Sequence, residues 1–375
     1  MKPPASSRSC LPIAALQFLL SALICSIPAQ YAHAQTAVSA AQAQPANAEQ
    51  ITLLSPRNYQ VFQRSTRRRG QILLSGKILS PCTRLEARIS GRSLMGVLPE
   101  RWIEVPFSTA DMSFNTALPI SAGGWYHVEL RATIGIRVMA RAAVDNVGVG
   151  EVFVGAGQSN STNYGEEKLV PASGKVASFD GSEWRLAADP QPGAHDNSTG
   201  GSFWPAFGDA MYSHWHVPIG VAVTGHGGTS VNQWQPGSEL FQWMMTRIFQ
   251  LGRNGFRAVL WHQGESDTGM GFTEYVEKMT NLIEASTRSA AWQFPWIVAQ
   301  ATYHSPTEQS FAGIRDAQKR LWDSGVALEG PDTDTLTGDN RDQNGAGIHM
   351  SGKGERAHGE LWARKVTGYL NGVLK

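Results

Sequence analysis

Cysteine is scarce in this sequence, and neither sign of charge dominates. Three of its 375 residues are cysteine, and two of them, Cys10 and Cys25, lie in an N-terminal segment that we expect to be removed. Cys82 would then stand alone, which excludes an internal disulfide and leaves apolar packing as the source of stability. The formal net charge is +1 at pH 7. A chain so close to neutrality lacks the basic surface that nucleic acid requires, so no nucleic acid partner is expected.

Long apolar runs are also scarce, and the one candidate lies at the N-terminus. Lys2 and Arg8 precede a mostly apolar stretch over residues 11–28, and Ala-His-Ala at 32–34 offers small residues at the two positions that a signal peptidase reads. We therefore predict a signal peptide over residues 1–34 and a secreted or periplasmic protein. No other stretch approaches the roughly 18 apolar residues of a membrane span, so no membrane insertion is expected after signal removal.

The rest of the sequence changes character twice. Residues 35–50 are rich in Ala and Gln and are predicted to form a flexible leader. Residues 51–146 contain short β-rich runs separated by turn residues, a pattern typical of an antiparallel, immunoglobulin-like β-sandwich. Residues 147–375 alternate between strand and helix patterns, which predicts a parallel sheet with helices on both faces. The two regions would meet between separate strands at 137–141 and 151–154.

Polar, glycine-rich segments follow three successive strands of the second region. They read Gly-Gln-Ser-Asn at 157–160, Gly-His-Gly-Gly-Thr at 225–229 and Gln-Gly-Glu-Ser-Asp at 263–267, and a fourth loop before the last helix carries His349. Ligands bind beyond the carboxyl ends of the strands of a parallel sheet. We therefore expect these four loops to meet at one rim of the sheet and to form the functional site.

These segments resemble motifs of the SGNH hydrolase superfamily, in its branch of sialate O-acetylesterases and related acetylxylan esterases. The similarity covers about residue 147 to the C-terminus. It rests on Val-Gly-Val-Gly-Glu-Val-Phe-Val-Gly-Ala-Gly-Gln-Ser-Asn at 147–160, Gly-Gly-Thr-Ser at 227–230 with Trp234 after it, Trp-His-Gln-Gly-Glu-Ser-Asp at 261–267 and Ile-His-Met-Ser-Gly-Lys-Gly at 348–354. The resemblance implies a flavodoxin-like three-layer α/β/α SGNH domain and a carbohydrate O-acetylesterase with no metal and no cofactor.

Ester cleavage requires a nucleophile, a base and hydrogen-bond donors for the oxyanion. Ser159, where a strand gives way to a loop, is the predicted nucleophile; the Gly-x-Ser-x-Gly elbow of α/β-hydrolases does not surround it. His349 is the predicted base, because an imidazole with a pKa of about 6.5 accepts the serine proton near neutrality. The alternatives are a serine that caps a turn and a histidine with a purely structural hydrogen bond.

Three groups are expected to donate to the oxyanion: the backbone N–H groups of Ser159 and Gly228 and the side-chain amide of Gln263. Glycine at 228 permits close approach of the backbone to the reacting carbonyl, and Gly227 is the neighbouring alternative. Gln263 stands where most of the superfamily has asparagine. Its alternative role is to hold two loops together.

The acid that orients His349 departs from the superfamily pattern. An aspartate usually lies three residues before the histidine, and that position is Ala346 here. The resemblance suggests Glu265 for this role. Asp342 and Asp339, seven and ten residues before His349, are local alternatives, and a Ser-His dyad without an acid is the third.

Other positions near the loops carry weaker signals. Four residues are expected to touch the substrate, namely Gln158, Asn160, His226 and Trp234. The irregular stretch 166–201 is predicted to form a wall or lid of the sugar site. His214 and His216 are expected at a helix end rather than in a metal site. The arginines at 64 and 67–69 form either a docking point for an acidic polysaccharide or a solvated hairpin turn.

The function predicted from these observations is that of an exported serine esterase, a carboxylic ester hydrolase, that removes acetyl groups from an oligo- or polysaccharide. Two alternatives stay open. The first is other SGNH acyl chemistry, as in a polysaccharide acetyltransferase, a lipase or a thioesterase, although the sequence has no long apolar lid helix typical of a lipase. The second, prompted by Ala346, is a carbohydrate-binding protein with reduced catalysis.

Overall fold

The computed structural model describes residues 51–374 of the chain. The predicted signal peptide (1–34) and flexible leader (35–50) lie outside the described residues, so both stay predictions. Within residues 51–374, no helix combines the length and the apolar character that a membrane crossing requires.

Nine strands precede the long strand β10 and pair mainly in antiparallel fashion. They are β1 (Ile51–Ser55), β2 (Val61–Gln63), β3 (Arg69–Ile78), β4 (Arg84–Ser90), β5 (Arg92–Ser93), β6 (Gly96–Val97), β7 (Ile103–Val105), β8 (Ser113–Ser121) and β9 (Gly123–Ile134). One sheet has the order β1-β3-β8. In a second group of strands, β9 pairs with β4 on one side and with β10 (Arg137–Gly157) on the other.

The two groups of strands are packed on a common apolar core. In β3 buried side chains alternate with exposed ones, the period-two pattern of a strand with one face on a core. Ile72 and Leu74 on that face share a cluster with Leu85 of β4 and Val128 of β9. The short antiparallel strands agree with the sequence prediction. A separate immunoglobulin-like domain over 51–146 stays a prediction, because β10 runs through residue 146 and all described residues belong to one compact unit.

The second half of β10 is the central strand of a parallel sheet. From Val147 to Gly157 every residue is buried, as expected for a strand covered on both faces. The other parallel strands are β11 (Val176–Phe179), β13 (Ile219–Val223), β14 (Ala258–His262), β15 (Trp296–Gln300) and β16 (Leu328–Asp332), and β12 (Trp184–Leu186) pairs with β11 in antiparallel fashion. In the order β13-β10-β14-β15-β16, β13 lies on one side of β10, and β14, β15 and β16 follow on the other side. This is the flavodoxin-like order, with β11 and β12 added at one edge.

Helices cover both faces of the parallel strands, so the predicted α/β class is confirmed. The described residues form α1 (Trp204–Trp215), α2 (Glu239–Leu251), α3 (Phe272–Ala290), α4 (Ala312–Asp323), α5 (Asp342–Gly345) and α6 (Gly352–Val373). The buried sides of α1 and α6 belong to one apolar cluster, and those of α2, α3 and α4 to another. The chain reverses its side of β10 between β13 and β14. The rim beyond β10 and β14 is therefore where a ligand site is expected.

Candidate active site

Ser159 opens a short 3₁₀ helix, Ser159–Ser161, directly after β10. Its position depends on Gly157, which has φ of +130° and lies against the end of β14; a Cβ there would be 2.0 Å from the carbonyl oxygen of His262. The carbonyl of Ser159 accepts hydrogen bonds from the N–H and the hydroxyl of Thr162 at 3.0 and 3.1 Å. The predicted nucleophile therefore sits in a fixed loop at the rim between β10 and β14.

The two residues beside Ser159 join its loop to neighbouring loops. The Oε1 atom of Gln158 accepts the N–H of Ser266 at 3.0 Å. The Nδ2 atom of Asn160 donates to Oε1 of Glu265 at 3.1 Å and to the carbonyl of Ile348 at 3.2 Å. Gln158 and Asn160 are both buried. These contacts fix the nucleophile loop, and the substrate contacts predicted for the two residues stay predictions.

His349 lies beside Asp342 in a tightly turned loop. Its Nδ1 is 3.7 Å from Oδ2 of Asp342, and its backbone N–H donates to Oδ1 of the same carboxylate at 3.2 Å. Gln343 and Asn344 adopt left-handed φ values of 52° and 58°, which turn the chain back between the two residues. Gly347 is required for this approach, because a Cβ there would be 1.7 Å from Oδ1 of Asp342.

The environment of His349 favours the neutral imidazole that a base requires. Burial lowers its pKa below the ordinary value, and this outweighs the opposing effect of the Asp342 carboxylate; the nearby Arg341 guanidinium lowers the pKa further. The ring of Tyr164 lies 5.0 Å from the His349 ring, centroid to centroid. His349 is therefore flanked by a carboxylate on one side and by an aromatic ring on another.

The contacts of Glu265 differ from those expected of the orienting acid. Its carboxylate is buried, accepts from Asn160, and lies 3.9 Å from Nδ1 of His262. Burial raises the pKa of Glu265 to about 7. Its link to His349 runs through Asn160 and the backbone of Ile348. The geometry thus favours the local alternative Asp342.

Asp339 and Ala346, the other two positions weighed for the orienting acid, both face solvent. The carboxylate of Asp339 is 3.3 Å from Nζ of Lys353. Ala346, at the position usual for the acid, is exposed. Asp342 is therefore the one of the local candidates that the loop brings to His349.

The predicted oxyanion donors differ in whether their N–H groups already have acceptors within the protein. The N–H of Gly227 donates to Oδ2 of Asp196 at 2.6 Å, so Gly228, in the left-handed region with φ of +69°, is the better candidate of the two. The fully buried amide of Gln263 donates to Oδ2 of Asp267 at 2.7 Å and to the carbonyl of Thr229 at 3.1 Å. Both amide hydrogens thus have acceptors within the protein. These contacts favour the loop-holding alternative, and the oxyanion role of Gln263 stays a prediction.

The remaining two residues expected to touch substrate also have protein partners. Nδ1 of His226 is 2.7 Å from Nδ1 of His195, whose Nε2 is 3.2 Å from Oε1 of Glu239. This chain of contacts fixes the His226 ring. Trp234 is fully buried, and its Nε1 donates to the hydroxyl of Thr229 at 3.0 Å. It supports the loop of Gly228 from beneath, so the structure does not place it where it would meet a substrate.

Two residues near the site were not expected from the sequence. Tyr164 is 38% exposed, and a Cβ on Gly227 would lie 2.4 Å from its hydroxyl oxygen, so its ring spans the gap between His349 and the Gly227 loop. Asp196 fixes that loop by accepting the N–H of Gly227. Both lie in segments without a periodic pattern, and no sequence signal distinguishes them from other polar loop residues. The contacts of Asp196 bring part of the irregular stretch 166–201 to the site, as expected of a wall.

The two histidines of the His-x-His pair lie at the end of α1. His214 is in its last turn, and His216 follows the helix with φ of 53°. This placement matches the helix-end position expected from the sequence.

Known proteins resemble the chain over the part that forms this site. A family model described as "carbohydrate esterase, sialic acid-specific acetylesterase" matches residues 149–368. A probable carbohydrate esterase from Arabidopsis thaliana is 41% identical over 51 residues, a match that spans 13% of this chain and 20% of that protein. The curated relative is therefore matched over about a fifth of its length.

Solved structures extend the comparison to the fold. The crystal structure of a carbohydrate acetylesterase from Xanthomonas citri superposes with a TM-score of 0.55 at 17% identity, covering 86% of this chain and 76% of that one. The structure of the Arabidopsis protein gives a TM-score of 0.48 at 21% identity over 59% of this chain and 98% of that one. The Xanthomonas structure shows that the chain shares a fold with an acetylesterase, and the family match confirms the predicted family.

Proposed function

The chain belongs to the carbohydrate esterase family of sialic acid-specific acetylesterases, and from this premise we propose that it is an exported serine esterase that removes O-acetyl groups from a carbohydrate. One hydrogen bond between two loops carries the proposal. Asn160 follows Ser159 directly, and its side-chain amide donates at 3.2 Å to the carbonyl of Ile348, which directly precedes His349. This contact supports a nucleophile and a base that face each other across the sheet rim.

Acylation begins when His349 takes the hydroxyl proton of Ser159 while Oγ attacks the ester carbonyl. The carbonyl oxygen becomes negatively charged and is stabilised by the N–H groups of Ser159 and Gly228. Asp342 keeps the imidazole oriented and stabilises the imidazolium. His349 then gives its proton to the departing sugar oxygen, the ester C–O bond breaks, and the acetyl group stays on Ser159.

A water molecule completes the cycle by the same route. His349 takes a proton from the water as its oxygen attacks the acetyl carbonyl. Collapse of the intermediate releases acetate, and His349 returns the proton to Oγ of Ser159. A polysaccharide acetyltransferase would use a sugar hydroxyl in place of this water and would share every residue assigned here.

The proposed substrate is an acetylated oligo- or polysaccharide, and the family description supports this class. Export is proposed from the N-terminal pattern alone: a basic start, an apolar stretch and Ala-His-Ala at 32–34. N-terminal sequencing of the protein recovered from an expressing culture tests it. A mature chain that begins at Gln35 supports export, and a chain recovered only in the cytoplasm with its first 34 residues intact contradicts it.

The activity is tested with p-nitrophenyl acetate, p-nitrophenyl butyrate and an acetylated oligosaccharide. We expect the acetyl ester to be the better small substrate and free acetate to be the product from the sugar. Ser159→Ala lowers turnover by about four to six orders of magnitude, as loss of a serine nucleophile does. Ser182→Ala, which removes an exposed hydroxyl in another loop, serves as the control.

Each alternative has its own signature in that assay. Ser159→Ala with more than a tenth of wild-type activity would refute the nucleophile. Preference for butyrate favours a lipase or thioesterase, and acetyl transfer to added sugar without release of acetate favours a transferase. A wild-type chain that binds the sugar and cleaves no ester supports a binding protein with reduced catalysis.

A further inference from the structure

A cavity lies at the opposite end of the parallel sheet from Ser159. Its volume is about 1050 Å³. Residues 253–257 and 292–295 line it, and these segments lead into the amino ends of β14 and β15, whereas Ser159 follows the carboxyl end of β10. The opposite wall includes Leu54 of β1 and Leu73 of β3, which are 60% and 39% exposed. The cavity therefore belongs to a site other than the proposed catalytic one.

Arginines and carboxamides make up most of the polar lining of this cavity, and Ser55, Ser65 and Tyr369 complete it. Four arginines line it, Arg57, Arg64, Arg253 and Arg257, together with six asparagine or glutamine side chains. None of its lining residues in the described chain is an aspartate or a glutamate. Carboxamides both donate and accept hydrogen bonds, as sugar hydroxyls do, and arginine presents a planar set of donors that matches a carboxylate.

The charge of this lining is only partly balanced from within the protein. The buried carboxylate of Glu151 accepts from Nε of Arg64 at 2.6 Å and from Nε of Arg257 at 2.7 Å. Arg57 and Arg253 are exposed and form no ion pair with any residue between 51 and 374. Glu151 thus balances charge at only two of the four arginines, and the exposed Arg57 and Arg253 leave the cavity with an excess of positive charge.

The arginine run noted in the sequence borders the same cavity. Arg64 is buried, whereas Arg67 is exposed in a turn with its guanidinium 5.2 Å from the centre of the Trp215 ring. Arg68 and Arg69 are exposed, and the neighbouring Gly70 lines the cavity. The loop adds positive charge at the rim and continues the basic surface beyond the cavity itself.

We propose that this cavity binds a segment of an anionic polysaccharide. Carboxylates of the polymer pair with Arg57 and Arg253, its hydroxyls bind the carboxamides, and its apolar ring faces rest against Leu54 and Leu73. The inference rests on the proposed function, because it makes the acetylated substrate an acidic polymer held at one end of the sheet while another stretch reaches Ser159.

Binding is tested with the Ser159→Ala chain, which holds the polymer without consuming it. The probes are an oligogalacturonate and a neutral cello-oligosaccharide of equal length, titrated by calorimetry at low ionic strength. We expect the acidic oligomer to bind at least tenfold more tightly, and added salt to weaken it. The pair Arg57→Gln and Arg253→Gln lowers that affinity by about tenfold or more, since each removes a charge-assisted contact. The matched control is Arg137→Gln with Arg141→Gln, because both arginines are exposed on β10 outside the cavity. This control should leave the affinity for the acidic oligomer unchanged.

Three results would overturn the proposal: no binding of the acidic oligomer, equal binding of the neutral one, or full affinity in the Arg57 and Arg253 variant. Turnover of p-nitrophenyl acetate by the same arginine variant with Ser159 intact separates this inference from the proposed function. We expect that turnover to be unchanged. A wild-type chain that cleaves no ester but binds the acidic oligomer through its arginines would refute the esterase alone. A chain that cleaves the ester but does not bind the acidic oligomer would refute the polysaccharide site alone.

Discussion

The identity of the acid beside His349 is the main question at the scale of single residues. Asp342 touches the histidine twice, through its imidazole and its backbone N–H, whereas Glu265 reaches it only through Asn160. Asp342→Asn should lower turnover by about 10⁴, as neutralising a triad carboxylate does. Glu265→Gln keeps the contact with Asn160 and should cost less than about tenfold, because this change removes no hydrogen bond to the imidazole.

The same pair of variants has a signature in the pH profile. Catalysis requires neutral His349, so kcat/KM rises with pH through the pKa of that imidazole, which lies below 6.5. Removing the negative charge of Asp342 lowers this pKa further and moves the acid limb to lower pH. A severe loss in Glu265→Gln with a mild one in Asp342→Asn would restore Glu265 to the role expected from the family. Mild losses in both would indicate a Ser-His dyad.

Gln263 has two roles that can be separated by measuring stability beside turnover. Gln263→Ala removes the side-chain hydrogen bonds to Asp267, Tyr275 and the carbonyl of Thr229. Asp267 keeps the N–H of Val231 and Tyr275 keeps the backbone carbonyl of residue 263, so the carbonyl of Thr229 is the group left unsatisfied, which should lower the free energy of unfolding by about 1–3 kcal/mol. We expect a clearly lower Tm together with lower kcat. An unchanged Tm with kcat lower by about 10²–10³ and KM unchanged would instead support the oxyanion role predicted from the sequence.

The sequence predicted Ser159 as the nucleophile, His349 as the base and the four loops, and it left Asp342 as one of several candidates for the acid. Motif spacing identifies Ser159 and His349 because each stands in a short, distinctive segment. The contact of Asp342 depends on left-handed conformations at Gln343 and Asn344, which non-glycine residues adopt only in a specific tertiary context. Asparagine adopts this conformation more often than most residues, but glutamine does not, so the return of the loop could not be derived from the sequence.

At the scale of elements, the loop between α5 and α6 positions the base through a glycine. Gly347→Ala would place a Cβ 1.7 Å from Oδ1 of Asp342 and so displace the carboxylate from His349. A displacement of this size should lower kcat by about 10². Gly313→Ala, in the first turn of α4 where an added Cβ meets nothing within 4 Å, is the control and should be neutral. Full activity in Gly347→Ala would show that the Asp342 contact is dispensable.

Helix α6 contacts the irregular stretch 166–201 through the buried carboxylate of Glu355. Its Oε1 accepts the N–H of Glu167 at 3.1 Å, and burial raises its pKa from 4.5 to about 8. A carboxyl with a higher pKa in the folded than in the unfolded state binds its proton more tightly when folded. Its contribution to stability is therefore greatest below pH 4.5 and is lost as the pH rises through about 8.

Glu355→Gln cannot ionise and keeps the acceptor for Glu167, so it should raise Tm near pH 8 and leave it little changed near pH 5. Thermal melts at the two pH values measure this. Glu360→Gln, on the exposed side of the same helix, is the control and should leave the difference in Tm between pH 5 and pH 8 nearly the same as in the wild type. If the Tm of Glu355→Gln depended on pH as strongly as that of the wild type, Glu355 would not be the group responsible for the pH dependence of stability.

The long strand β10 shows which elements the sequence could not predict. Separate strands were expected at 137–141 and 151–154, but one strand runs from Arg137 to Gly157, with register shifts near Val147. Its first part alternates mainly between exposed and partly buried residues, and its second part is buried throughout. A strand that passes from a half-exposed sheet into a covered one has two hydrophobic patterns, and each pattern predicts its own strand.

At the scale of the whole molecule, the alternation of strands and helices after residue 147 was sufficient to predict the parallel sheet and the rim to which the glycine-rich loops belong. The position of the arginine-lined cavity was not predictable, because it depends on β1 and β3 packing near the turns that precede β14 and β15. The two sites lie at opposite ends of the same strands. A polymer that occupies both would have to follow the surface of the protein around the sheet.

The central claim, that Ser159 is the nucleophile of a serine esterase, is tested most directly by covalent labelling with an alkyl fluorophosphonate followed by peptide mass mapping. The account predicts one phosphonyl group per chain, carried by Ser159, with loss of acetate release in proportion to labelling. His349→Ala should label far more slowly, because the hydroxyl then lacks its base. Complete inactivation with the label on another residue, or complete labelling of Ser159 with acetate release retained, would contradict it.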